Sequence, residues 1–252
     1  MPKATRSVTV SGRTGNRLVA IQVALSLILV TNAGLLVRSL QQVRAVEAGF
    51  DAEGVFVAYP LPRPGGYANL DNDSYYPQLI DRLAALPGLN AVSVSQQPPA
   101  SGRGVEEPVA PAVVRSSANE ARPSLFTPVA PRFFETLGLR VLAGRDFAWS
   151  DDSRTSRVAI LSQSLALSLF PRDNALGQRV RIGVSPARQD LEVVGVVADA
   201  RVYDLKNPNV AAVYVPSLQE PDSANFKCLV VRGTTVSLSA IKGPSNRSSA
   251  ST

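Results

Sequence analysis

Leu18 to Val37 form a run of 20 residues without a single charge, LVAIQVALSLILVTNAGLLV. A helix rises about 1.5 Å per residue, so this run spans roughly 30 Å, the thickness of a bilayer's hydrocarbon core. Its apolar residues surround the helix instead of forming one stripe, which argues against a surface helix of a soluble domain. A cleaved signal sequence is the competing reading. The apolar region of such a peptide is typically about 7–15 residues, and Val46-Glu47-Ala48 is a poor cleavage site. The run therefore predicts an uncleaved membrane anchor. The preceding arm, residues 1–17, carries Lys3, Arg6, Arg13 and Arg17 and no acid, whereas Arg38 and Arg44 are followed by Glu47, Asp51 and Glu53. The positive-inside rule then puts the arm in the cytoplasm and the rest of the chain outside. Within the span, Gln22, Ser26, Asn32 and Gly34 are candidates for helix–helix contact, because polar and small residues allow hydrogen bonding and close approach between membrane helices.

Six cations, the four of this arm with Arg38 and Arg44, precede the first acid, Glu47, and removing them leaves the rest of the chain near neutral. Nucleic acid is accordingly not an expected partner. The chain has no histidine, which removes Ser-His-Asp and Cys-His nucleophile systems and His-ligated metals. Cys228 is the only cysteine, and its setting reads as a strand in which it is a small buried apolar residue. Glu106-Glu107 and Asp151-Asp152 are adjacent acids in turn-rich stretches and read as solvated faces. No G-x-S-x-G surrounds Ser162 or Ser164, and there is no phosphate-loop motif. The expectation is no catalytic, cofactor or metal site.

Beyond the span, a helical stalk over residues 38–48 stops at Gly49. Val55 to Tyr59 predicts a strand, residues 60–66 a Pro/Gly loop, and Tyr76, Leu79, Ile80, Leu83 and Leu86 a helix closed by Pro87-Gly88. Ala91 to Ser95 alternates as a half-buried strand, which makes the first segment β-α-β. Residues 96–124 read as loop. Strands follow at Leu125–Val129, Val158–Leu161, Arg179–Ile182, Leu191–Ala198, Ala211–Val215 and Phe226–Val231, with helices at Arg132–Leu137, where Pro131 suits the first position, and Gln163–Phe170. Ala143 to Phe147 reads as a turn. Phe133, Phe134, Phe147, Trp149 and Phe170 read as core residues in preference to a ligand box, Trp149 being the one most suited to partial exposure. Strands mixed with short helices, without regular alternation, indicate an α+β fold.

Five stretches together resemble a known family: the span leading into VEAGFD, LPGLNAVSVS from Leu86, VAPRFFETLGLRVLAGRDF from Val129, VAILSQSLALSLFPRDNALGQRVRIG from Val158, and LEVVGVVADAR from Leu191. In order and content they are similar to the MacB-like periplasmic core domain of FtsX/MacB-type ABC transporter permeases, over about residues 17–232. The resemblance implies an extracytoplasmic domain at 49–235 with a β-α-β lobe and an inserted β-rich lobe, held in a bacterial inner membrane. It implies a separate ABC ATPase and further permease helices as partners, leaves self-association open, and implies mechanical coupling through the stalk. Such permeases carry more membrane helices after this domain; here residues 236–252 read as a disordered Ser-rich tail with no second span, so a truncated permease or one piece of a split one is expected. The alternatives are a stand-alone membrane-anchored sensor or binding module, marked by a polar-lined pocket between lobes, and a membrane-anchored hydrolase.

Overall fold

The computed structural model describes residues 12–44, 49–60, 72–102, 104–112, 121–171, 174–183, 189–203, 211–220 and 228–233. The chain divides into two compact units, Met1–Glu47 and Ala48–Thr252. The first holds one helix, α1 (Gly12–Arg44). Its stretch Gly15–Ser39 is long and apolar enough to cross a membrane, and none of the side chains in its apolar window is buried by protein. The expected Ser-rich tail, most of the basic arm and the loop after Pro60 lie outside the described residues.

The second unit is mixed α and β. Its elements are β1 (Val55–Ala58), α2 (Asn72–Ala84), β2 (Leu89–Ser95), β3 (Val105–Pro111), β4 (Arg122–Val129), α3 (Phe133–Leu137), β5 (Val141–Gly144), β6 (Val158–Ser162), α4 (Gln163–Leu169), β7 (Arg179–Ile182), β8 (Gln189–Val197), β9 (Ala212–Pro216) and β10 (Cys228–Gly233). All ten strands belong to one sheet. Strands β4, β3, β7, β8, β6 and β9 pair in succession, and β9 returns to β4 in parallel, with Leu125 opposite Ala212 and Val129 opposite Pro216. That last pairing closes a six-stranded ring. β2, β10 and β1 continue the sheet as an antiparallel extension, joined to the ring through the single pair Ser95 and Val129.

Alternation along the ring strands sorts side chains into two sets. Val109, Ala159, Leu161, Val180, Ile182, Leu191, Val193, Val213 and Val215 form one cluster with Leu165, Ala166 and Leu169 of α4. From the opposite faces of β4, β6 and β9, Leu125, Val129, Val158, Ile160 and Tyr214 form a second cluster, into which α3 inserts Phe133, Phe134 and Leu137. The ring of Phe134 meets Tyr214 edge-on at 5.0 Å. Each of these fully buried large side chains contributes about 1.5–3 kcal/mol relative to exposure. A third cluster packs Tyr76 and Ile80 of α2 on Val92, Val94, Leu229 and Val231.

Several expectations are corrected. Residues 105–111 are not loop but β3, a member of the ring. The Ala143–Phe147 turn begins with the end of β5, which pairs with β8. β2 is buried on both faces from Ala91 to Ser95. Its valines meet α2 while Ser93 Oγ donates to the carbonyls of Ala130 and Pro131 and Ser95 Oγ lies 2.9 Å from Tyr203 Oη. Pro131 stands before α3 and not at its first position; Arg132 occupies the cap with φ 66°.

Candidate functional site

The residues that follow α1 in the chain are fastened into the domain by backbone and side chain together. Gly49 lies so close to the 199–200 backbone that a Cβ there would stand 2.6 Å from Asp199 O. Phe50 packs against the α3 cluster. Asp51 N donates to Leu137 O at 3.0 Å, and Gly233 N donates to Gly54 O at 2.9 Å. This lead-in segment, Gly49–Gly54, therefore touches the end of α3 and the end of β10 at once.

Arg232 of β10 binds the three together. Its Nε donates to Thr136 O (2.8 Å), Nη2 to Asp51 O (2.7 Å), and Nη1 to Asp51 Oδ2 (2.6 Å) and Glu53 O (3.3 Å). The Arg232 side chain is 18% exposed and that of Asp51 56%. The hydrogen bonds from Arg232, with a further one from Glu53 N, hold the Asp51 carboxyl below its usual range. A Cβ on Gly138 would lie 3.2 Å from Asp51 Cβ and 3.4 Å from Arg232 Nη2, so glycine leaves the room the guanidinium uses.

The residues singled out in the membrane span are all exposed on α1. Ser26 Oγ donates to Gln22 O, and Asn32 Nδ2 to Ile28 O, both at 2.8 Å, so the Ser26 hydroxyl and one N–H of Asn32 bond along the helix itself. Gln22 and Ser26 share a shallow groove with Val19, Val23, Leu27 and Val30. At about 100° per residue Gln22 lies about 40° from Ser26, Gly34 about 80° to the other side of Ser26, and Asn32 about 80° beyond Gln22. Gln22 and Ser26 thus share one side, with Asn32 and Gly34 on its two opposite flanks, about 160° apart.

A family model described as the MacB-like periplasmic core domain matches residues 18–242. The chain belongs to this family. No curated protein matches it. Among solved structures, the periplasmic region of MacB from Actinobacillus actinomycetemcomitans is similar at 15% identity and TM-score 0.48, over 80% of this chain and 85% of that one. The extracellular domain of the noncanonic ABC-type transporter YknZ from Gram-positive bacteria is similar at 20% identity and TM-score 0.45, over 73% of this chain and 86% of that one.

In this MacB-like domain the remaining candidates have structural partners. Ser162 Oγ accepts from Ala212 N, and Ser164 N donates to Asp199 Oδ1. Burial pushes the Cys228 thiol up to about 12, and its Sγ contacts Ser95 O. The aromatics disperse: Phe133, Phe134 and Phe147 into the α3 cluster, Phe170 beside the α4 cluster, and half-buried Trp149 beside α2. Glu106 and Glu107 lie on β3, Glu106 exposed and Glu107 half-buried. Asp151 and Asp152 are not a solvated face, since both are buried. Asp151 takes a two-pronged bond from Arg145 and a third from Ala148 N, and Asp152 pairs with Arg154. Burial raises the Asp151 pKa, but these donors outweigh it and the carboxyl sits below its ordinary value. Among the described residues no three Cys, Asp or Glu converge as metal ligands.

Proposed function

We propose that this chain is a non-catalytic, permease-type component of an ABC transporter, in which an extracytoplasmic domain couples motion of a membrane helix to the binding of an export substrate or a partner. α1 anchors it with the N-terminus in the cytoplasm, in keeping with the four cations ahead of the span. The ring strands and the β1–β10–β2 extension with α2 serve as the two lobes. A separate ABC ATPase and further permease helices supply the driving motion, the latter through the α1 face bearing Gln22 and Ser26, with Asn32 and Gly34 offering contacts on its two flanks. The observation that carries the reading is the fastening of Gly49–Gly54 to α3 and β10, because a flexible tether would pass no displacement on to the domain.

Purification of the intact chain from native membranes tests this. An ATPase and a multi-span permease are expected to accompany it, and Gln22→Leu or Asn32→Leu should weaken that association. A chain recovered alone and monomeric overturns the reading in favour of a stand-alone binding module.

A further inference from the structure

One side chain does a large part of the fastening, and its chemistry is particular. A guanidinium presents five donors in a rigid plane, so it can span acceptors on separate segments; an ammonium concentrates three donors at one point. Arg232 uses that plane on carbonyls of the lead-in segment and of α3 while its own backbone pairs with Val55 of β1 and Ala91 of β2. Three of its four acceptors are backbone oxygens, so the connection does not depend on the charge of Asp51 alone. Beyond α3 the contact continues, because Phe133 and Phe134 pack on Tyr214 in the ring strand β9.

We propose that Arg232 is a positioning residue, a latch that makes Gly49–Gly54, β10 and α3 move as one block. A displacement arriving at Gly49 is then delivered to α3 and onward to β9 instead of being absorbed by bending of the lead-in segment. This rests on the coupling function proposed above, yet the latch can be measured without any transport partner.

The experiment is amide hydrogen exchange on the full chain in lipid nanodiscs, comparing the wild type with Arg232→Gln, Arg232→Lys and Asp51→Asn. Loss of charge-assisted bonds at one locus should speed exchange of the Asp51 and Gly233 amides about tenfold or more in Arg232→Gln. Arg232→Lys should fail to restore them, and Asp51→Asn should show a smaller rise because the carbonyl acceptors remain. Amides of β6 and β8 and the reactivity of Cys228 should stay at wild-type values. Unchanged Asp51 and Gly233 amides overturn the latch. So does a uniform rise that includes β6, β8 and Cys228, which would make Arg232 a general fold-holder. Should Arg232→Gln not fold, Arg232→Lys and Asp51→Asn decide by the same two amides. Failure of the wild type to co-purify with partners sinks the coupling function and leaves this measurement intact.

Discussion

Gly144, at the end of β5, should be irreplaceable even by alanine. It sits at φ +77° directly opposite Gly195 of β8. A Cβ there would collide with Val194 O and would stand 2.8 Å from both Gly195 Cα and Leu176 Cδ2. Two of these three atoms are backbone in the sheet, so a side-chain rotation cannot relieve the clash. The left-handed conformation costs a Cβ-bearing residue about 1–2 kcal/mol. Moving β5 away from β8 also gives up the bond from Arg145 N to Val194 O, a net loss of about 0.5–1.5 kcal/mol. Overpacking adds about 1–3 kcal/mol. Together Gly144→Ala is expected to cost about 2.5–6.5 kcal/mol, a large share of a marginal domain stability. Gly177 supplies the control, because its φ is +76° and a Cβ there meets nothing within 4 Å. Gly177→Ala should pay only the conformational penalty of about 1–2 kcal/mol. Urea unfolding in detergent, followed by fluorescence of the single tryptophan, Trp149, reads both variants. Equal destabilisation of the two would refute the steric argument.

Asp151→Asn should lower stability by about 1–2 kcal/mol at pH 7, the value being held down by the half-exposed Arg145. Because the folded pKa of Asp151 is depressed, its contribution is present above the unfolded value and lost as pH falls through the folded one. The gap between variant and wild type should close below about pH 4 in a thermal-melt series, and a gap unchanged at low pH would contradict this. Ala100 holds φ 57°, so Ala100→Gly should stabilise by about 0.5–1 kcal/mol in the same urea assay; a loss would show that its methyl group packs. Cys228, buried and with its thiol pushed up to about 12, should resist Ellman's reagent at pH 8 until the chain unfolds, and stoichiometric labelling of the native protein would be the contrary result.

The long apolar helix α1 was legible because its character depends on composition and length, which need no tertiary context. The β-α-β start was legible because α2 and β2 announce themselves by local periodicity. The ring was not. Its closure needs β3, where Pro108 and Pro111 with Glu106 and Glu107 imitate a loop. Pro108 sits opposite Pro123 of β4, a pairing in which neither residue offers an N–H, and Pro108 O is used by Gly183 N instead. Closure also needs the parallel contact of β4 with β9, whose partners lie far apart in sequence. Burial of Asp151 was concealed by its Ser- and Asp-rich neighbours, although Arg145, six residues earlier, was the available signal. The Asp51–Arg232 connection had no local signal at all. Its partners come from opposite ends of the domain, and only the pairing of β1 with β10 brings them together.

The central claim is that motion of the membrane helix reaches the domain. The most direct test is hydrogen exchange of the α3 amides, Phe133 to Leu137, in the complex purified from native membranes, with and without ATP. The account predicts that exchange at α3 changes with nucleotide in the wild type and ceases to change in Arg232→Gln while the partners stay bound. Exchange at α3 that is identical with and without ATP in a complex still hydrolysing it would contradict the account.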